Sequence, residues 1–524
     1  MKKRALLQVS DQKGIVDFAQ VLVMKGYELI STGETYKTLI ENRIAVQNMY
    51  ELTGFKEILD GRVRTLHPNI YGGILADREN ISHMKDIIEH NIEFIDLVVA
   101  NMYSFVDSAL REDSYKEVIE AISIETASLI RASAKNHNYI TVIVDSEDYY
   151  RFIYEIDKDG SVSLETRKKF AAKAFRYTAS YDAVVSKYLT EEEYPEKLTL
   201  VYNKVREANY SEDSYKTGAI YEEVVISEEA SLSNFIGKAK RIKGGNASFD
   251  ILRDSDLALS LVSEFLEPTA VVVKNLNPIA VASSKVDFGG GNNLYEAVTT
   301  CFSDDSIFYS FGVAAFNRIV ELEVATFLSK NAFLDENRSL KLILAPDFSE
   351  EAIQILNTHE NLILLSVDTS YKASGKKISS IGGGILLEEA DLNTSLDINI
   401  LTEKQPSSEE IEASIYANTI FKYSKATSAV ISDGNSLLGI GAGQASIKKA
   451  SQIAFEEAKI KERTKGAVLA VDSHFFDLEV IKRANKEGIS CIVSPGVGLN
   501  SKELKELIEA CNEYSIAMIF TGVG

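Results

Sequence analysis

A two-domain α/β protein, its first domain built on a parallel sheet, is what the sequence predicts, and three observations carry the prediction. Short β-rich runs alternate with longer amphipathic segments over the first third of the chain. An acidic stretch bearing a proline then follows a long helical segment. Finally, 524 residues are too many for one hydrophobic core.

The alternation starts with ALLQVS (5–10), GIVDFAQVLVMKG and YELIST (27–32), and resumes with FIDLVVANMYSF (94–105) and YITVIVD (139–145). Such strand–helix–strand units pack around a parallel sheet, with working loops beyond the carboxyl ends of the strands. STGET and NMYSF stand at such ends. LETRKKFAAKAFRYTASYDAVVSKYL (164–189) has apolar residues at helical spacing among good helix formers, and it closes the first domain. TEEEYPEKL (190–198), with Pro195, marks the boundary, so the domains are expected at 1–195 and 196–524. The second part mixes strands such as TAVVVKNL (269–276), LKLILAP (340–346) and CIVSP (491–495) with helices such as FSEEAIQILNTH and SKELKELIEACNEY. It shows no short tandem repeat, and its length leaves room for two sub-domains.

Composition narrows the function. A formal net charge of -21 argues against a general nucleic-acid surface, which needs basic residues to displace counterions, so an anionic ligand must be held by local donors. Cys301, Cys491 and Cys511 form no C-x-x-C pair, which fits a reduced intracellular compartment. The apolar run in MKKRALLQVSD is too short for a signal peptide and no stretch reaches membrane-spanning length, so the expected location is the cytoplasm, with no membrane partner. The six histidines show no H-E-x-x-H or similar spacing, and no metal site is expected.

Three pieces of the first domain suit an anion. Ser31 and Thr32 precede Gly33 at a strand-to-helix junction, where N–H groups and hydroxyls can hold a phosphate. DGRVRTLHP (60–68) supplies Arg62, Arg64 and Thr65, and TASLIRASAKNH places Arg131 and Lys135 four apart on one helix face. Each also has a plainer explanation, as a helix cap, a solvated basic loop and a solvated helix stripe. The Gly439–Gln444 run is open in the same way, as a tight packed turn or as a ligand loop.

Taken together, TGFKEILDGRVRTLHPNIYGGILADR (53–78), IDLVVANMYSF, LIRASAKNH and STGET are similar in order and spacing to the PurH family of bifunctional purine-biosynthesis enzymes. The resemblance continues through DSDLALSLVSEFLEPTAVVVKNLNPIAVA (254–282), SFGVAAFNR (310–318), LILAPDFSEEAIQIL, GGGILLEEAD and LLGIGAGQAS (437–446). It implies a methylglyoxal-synthase-like first domain that closes the purine ring of a formamido-imidazole ribonucleotide to give inosine monophosphate. It also implies a second domain of cytidine-deaminase-like sub-domains, which passes a formyl group from 10-formyltetrahydrofolate to the aminoimidazole-carboxamide ribonucleotide. A homodimer with a purine-precursor ribonucleotide as ligand is implied as well.

By the same resemblance Ser10, Ser31, Thr32, Gly33, Thr35, Arg62 and Thr65 bind the nucleotide, while Arg64, Tyr103 and Lys135 attend the reacting groups. In the second domain Lys274 and Asn275 occupy the catalytic K-H positions, and Gly441, Gln444 and Asp472 bind substrate. The chain departs from the family at several of these places. Arg64 stands where the family has Lys, and Arg does not readily release a proton. I-D-I-G-G-P-T reads Ile122-Ser123-Ile124-Glu125-Thr126-Ala127-Ser128, which loses an aspartate, and Glu125, two residues on along an extended strand, is a candidate replacement. Glu34 enters the phosphate loop, where it must point away or repel the phosphate. Asn275 replaces the histidine that would take the amine proton, and His474 is a candidate stand-in. These departures leave a second class of function open: a paralogue keeping the scaffold for nucleotide binding, assembly or regulation.

Overall fold

A computed structural model describes residues 2–111, 114–209, 217–224, 236–284, 293–303, 312–333, 339–370, 376–389, 398–472, 477–496 and 500–521. The chain forms two compact units, Met1–Tyr202 with Glu223–Ser231, and Asn203–Glu222 with Leu232–Gly524. His474 and the segment 210–216 lie outside the described residues.

The first unit is built on five strands, β1 (Lys3–Val9), β2 (Tyr27–Ser31), β3 (Gln47–Asn48), β4 (Leu97–Asn101) and β5 (Thr141–Ile143), in the order β3-β2-β1-β4-β5. Every pairing is parallel. Helices cover both faces, which explains why β4 reads as a near-continuous apolar run. On one face Phe18 stacks on Tyr149 with ring centroids 4.1 Å apart, and Phe152 meets Phe18 edge-on at 5.6 Å. The other face buries Met49, Ile70, Leu129 and Ile130. Full burial of such a side chain stabilises by about 1.5–3 kcal/mol.

Chain order reverses on either side of β1, which puts the topological switch point at the carboxyl ends of β1 and β4. The helix Leu164–Leu189 reaches this end. Its Tyr177 hydroxyl accepts the Met102 N–H and its Tyr181 hydroxyl accepts the Ser123 N–H, both at 2.9 Å. Ser163 caps the helix through the Thr166 N–H, and an uninterrupted stretch of good helix formers carries it through 26 residues.

The second unit holds a two-stranded sheet, β6 (Tyr202–Asn209) with β7 (Thr217–Glu223), and then two six-stranded sheets. The first of these uses β8 (Lys240–Lys243), β9 (Thr269–Lys274), β10 (Asn277–Ser283), β11 (Val313–Phe316), β12 (Leu342–Ala345) and β13 (Ile363–Ser366), in the order β10-β9-β11-β12-β13-β8. A separate hairpin pairs β14 (Lys376–Ile381) with β15 (Gly384–Glu389). The other sheet uses β16 (Asn399–Ile400), β17 (Ala429–Ser432), β18 (Leu437–Gly441), β19 (Val468–Val471), β20 (Cys491–Ser494) and β21 (Ala517–Phe520), in the order β16-β21-β20-β19-β17-β18.

Written from its hairpin end, the last sheet runs β18-β17-β19-β20-β21-β16, which is the first sheet's order repeated. In both, an antiparallel hairpin leads, parallel strands follow, and an antiparallel strand closes the edge. The two sub-domains expected from length are therefore two copies of one topology. They differ at the carboxyl end of the third strand in each. After β11 the Asn317 carboxamide donates to the carbonyls of Phe265 (2.9 Å) and Glu267 (2.7 Å) and accepts the Thr269 N–H (2.7 Å), tying that strand end to the segment before β9. After β19 the same position is Asp472, and the buried Ser428 hydroxyl nearby has no hydrogen-bond partner.

Candidate active sites

At the switch point of the first unit lies a cavity of about 860 Å³. The loop after β1 brings Ser10 and Gln12, the junction after β2 brings Thr32, Gly33 and Thr35, DGRVRTLHP brings Arg62 and Arg64, and the loop after β4 brings Tyr103. Seven of the residues expected from the sequence therefore meet here. Gly33 opens the helix Gly33–Glu41 at φ +58, and an added Cβ would stand 3.1 Å from Arg64 Nη1, so glycine suits both the turn and the approach of the guanidinium.

Hydrogen bonds sort these residues further. Ser31 is fully buried and its hydroxyl donates to the Leu7 carbonyl at 2.7 Å, which turns it into the sheet instead of toward a ligand. Thr35 lines the cavity, yet its hydroxyl both donates to the Val9 carbonyl (2.9 Å) and accepts the Val9 N–H (3.0 Å). Thr65 is fully buried and does not line the cavity. Glu34 also lines the cavity, but its carboxylate pairs with Lys37 of its own helix at 2.6 Å and its side chain is 74% exposed. Arg62 donates through Nε and Nη2 to the two oxygens of the Glu120 carboxylate, a bidentate pair along one edge of the guanidinium, and Arg111 donates to the Tyr103 hydroxyl at 2.6 Å.

Lys135 is not brought to this cavity. With Arg131 it faces a second one of about 1030 Å³, where Tyr71, Ser128, Phe175 and Asp182 also stand; Ile122, Ser123 and Ile124 line both. Glu125 is likewise not on an extended strand. It is the first residue of the helix Glu125–Lys135, so the two-residue spacing from Ser123 does not put the two on one face. Its Oε1 accepts the backbone N–H groups of Arg64 (2.6 Å), Thr65 (2.9 Å) and Leu66 (3.2 Å), anchoring DGRVRTLHP from below.

Three contributors escaped the sequence reading. Asn101, within the quoted NMYSF motif, accepts the N–H groups of Ser10 (2.6 Å) and Asp11 (2.9 Å) and fixes the first loop. Gln8 lines the cavity with its Oε1 buried and unpartnered. Glu120, which holds Arg62, had no motif to mark it.

In the second unit, Asn275 and Leu276 form a two-residue turn between β9 and β10, at φ 53 and φ 59. Asparagine is well suited to the first place of such a turn. Lys425 Nζ donates to the Asn275 carbonyl at 3.3 Å, and the backbone around Lys425 takes the Gly443 N–H (2.8 Å) and, at Thr427, the Gln444 N–H (3.0 Å). Register places Ala429 of β17 between Gly441 and Val471, so Ser428 falls beside Asp472. Lys274, Asn275, Gln444 and Asp472 are thus drawn to one end of this fold, with Lys425 as a contributor the sequence reading missed.

Gly441 is explained by packing. An added Cβ there would lie 2.0 Å from the Ala450 carbonyl oxygen, and one at Gly439 would lie 2.1 Å from that of Ala454. The run begins as strand β18 pressed on the helix Ile447–Ile460, so of the two explanations left open for it, close packing holds for both glycines. Among the described residues no cluster of His, Cys, Asp and Glu is placed to hold a metal, and no helix is long and apolar enough to cross a membrane.

Comparison with known proteins gives concordant matches. A family model described as the AICARFT/IMPCHase bienzyme matches residues 133–457, and one for the MGS-like domain matches residues 14–128. The bifunctional purine biosynthesis protein PurH of Listeria monocytogenes serotype 4b is 39% identical over 527 residues, covering 99% of this chain and 99% of its own. The protein of the same name from Bacillus subtilis is 38% identical over 528 residues, covering 99% and 98%. Among solved structures, the crystal structure of ForH is 30% identical, covers 36% of this chain and 99% of its own, and has a TM-score of 0.33.

Proposed function

The chain belongs to the AICARFT/IMPCHase bienzyme family, and from that premise we propose which of its residues perform each step. Its role is in purine biosynthesis: formyl transfer to aminoimidazole-carboxamide ribonucleotide (AICAR) and cyclisation of the formylated product (FAICAR) to inosine monophosphate. Matches along the full length to relatives named as bifunctional favour this over a paralogue repurposed for binding or regulation.

Cyclisation is assigned to the first unit, and the observation that carries it is the switch-point cavity with its donor-rich wall. The N–H groups at Gly33 to Thr35 and the Arg62 guanidinium hold the 5'-phosphate; Ser10 and Thr32 contact the nucleotide. Attack of the carboxamide nitrogen on the formyl carbon builds charge on the formyl oxygen. Arg64 and Tyr103, which line the cavity, are assigned as the donors to that oxyanion. Lys135 keeps its assignment by resemblance alone. Ser31, Thr35 and Thr65 act by shaping the loops.

Formyl transfer is assigned to the second unit. A folate co-substrate serves this reaction, and we take it to be 10-formyltetrahydrofolate, which supplies the formyl carbon when bound. The buried, unpartnered Ser428 hydroxyl beside Asp472 fits a polar ligand at this end. Lys274 assists the folate leaving group, Gln444 and Asp472 bind, and Gly441 holds the strand in place. Asn275 occupies the base position without being a base. We further propose domain limits of 1–195 and 196–524, a homodimer, a cytoplasmic location, and catalysis by side chains without a metal.

Two assays test the reading. Adding FAICAR to the purified protein should give the absorbance change of ring closure, and a rate no faster than the uncatalysed one rejects the first assignment. Formyl transfer from 10-formyltetrahydrofolate to AICAR tests the second in the same way.

A further inference from the structure

Glu125 is 6% exposed, and its two oxygens lead different lives. Oε1 is committed to the three N–H groups of Arg64, Thr65 and Leu66. Oε2 accepts no hydrogen bond. Arg64 Nε stands 3.8 Å from it, beyond hydrogen-bond reach, and is itself buried without a partner. Both residues line the switch-point cavity, as does Gln8, whose Oε1 is also buried and unpartnered. The two form an ion pair at 3.8 Å, but a buried carboxylate oxygen and a buried guanidinium nitrogen without hydrogen bonds are costly, and a ligand that supplied those bonds would relieve the cost.

The chemistry of the pair defines what would satisfy it. Oε2 offers only an acceptor and Nε only a donor. An amide edge presents the complement, an N–H beside a C=O. The carboxamide of FAICAR has that edge before ring closure, and the N1–H and O6 of inosine monophosphate keep it afterwards.

We propose that Glu125 and Arg64 form one receptor for the amide edge of the nucleotide: Oε1 positions the 64–66 backbone, Oε2 accepts the amide N–H, and the guanidinium donates to the amide oxygen. The inference rests on the cyclisation reading and deepens it, because it makes Glu125 a determinant of base specificity. Adenosine monophosphate offers the reversed pattern, a bare N1 acceptor beside an N6 donor, and meets Oε2 and Nε with like facing like.

The test is calorimetric binding of inosine and adenosine monophosphates to the full-length protein, with FAICAR turnover measured alongside. Wild type is expected to favour the inosine nucleotide by about tenfold or more. Glu125→Gln keeps an oxygen for the three N–H groups but puts an NH2 in place of Oε2. It should hold the thermal midpoint within about 2 °C while the preference collapses to about twofold or reverses. An unchanged preference in Glu125→Gln would mean that Glu125 only braces the loop, and equal binding of both nucleotides by wild type would also overturn the proposal. A wild type that discriminates but does not turn over FAICAR leaves the receptor standing and removes the cyclisation reading instead.

Discussion

Asp254 holds Asn275 through the main chain: its Oδ2 accepts the Asn275 N–H at 2.9 Å, and its Oδ1 accepts the Leu276 N–H at 2.7 Å. Both turn residues have left-handed backbones, which an asparagine tolerates and a leucine resists. One buried carboxylate thus stabilises the turn that presents Lys274.

Removing it has a predictable cost. Asp254→Ala leaves two N–H groups without an acceptor and should lower the stability of the second unit by about 2 kcal/mol, read from denaturant melts. Burial, acting more strongly than the two N–H bonds, pushes the Asp254 carboxyl above its ordinary value. With the folded value above the unfolded one, the native state holds the proton more tightly, so this contribution is full below the ordinary aspartate range. It is lost as pH rises through the folded value. The stability gap between wild type and Asp254→Asn should therefore be larger at pH 4 than at pH 7.

Asn275→His should raise formyl transfer by about 10² in kcat, the scale of an added general base. Histidine also tolerates a left-handed backbone, so the turn survives. The pH–rate profile supplies a second check. Wild type should lack a break in the range where an imidazole titrates, and the variant should acquire one.

Gly441→Ala drives a methyl group into the Ala450 carbonyl. Strand and helix must part, at a cost of about 3 kcal/mol. Formyl transfer should fall with the thermal midpoint of the second unit, whereas cyclisation by the first should stay near the wild-type rate.

Arg62 and Glu120 predict opposite effects on the same constant. Arg62→Ala should raise the KM for FAICAR about tenfold by removing a phosphate donor, and Glu120→Gln should lower it about threefold by freeing the guanidinium. Both effects should shrink in 0.5 M salt, since these side chains are exposed.

Local patterning made much of this legible in advance. The helix Leu164–Leu189 coincides with its predicted segment because 26 residues of good helix formers meet a serine cap and no breaker. YELIST and TAVVVKNL contain strands β2 and β9, since short runs rich in aromatic, apolar and β-branched residues on a covered sheet leave little ambiguity. The site was legible at the level of loops and less so atom by atom. Ser31 and Ser10 look alike in sequence, yet Ser31 is buried and bonded to Leu7 whereas Ser10 lines the cavity. Glu125 was misplaced because Ile122 to Ile124 read as extended, while the chain turns there into a helix. The repeated sheet order was hidden because it is written in strand pairings between distant segments, where packing constrains pattern more than identity.

That repetition divides the mechanical work unequally. Three internal hydrogen bonds of the Asn317 carboxamide tie the end of β11 to the segment before β9, so that copy is braced at this point from within. At the matching place after β19 stands Asp472, with the unpartnered Ser428 hydroxyl beside it, and the same brace is not made by that serine. Two sheets drawn to one plan thus carry different loads at the same position.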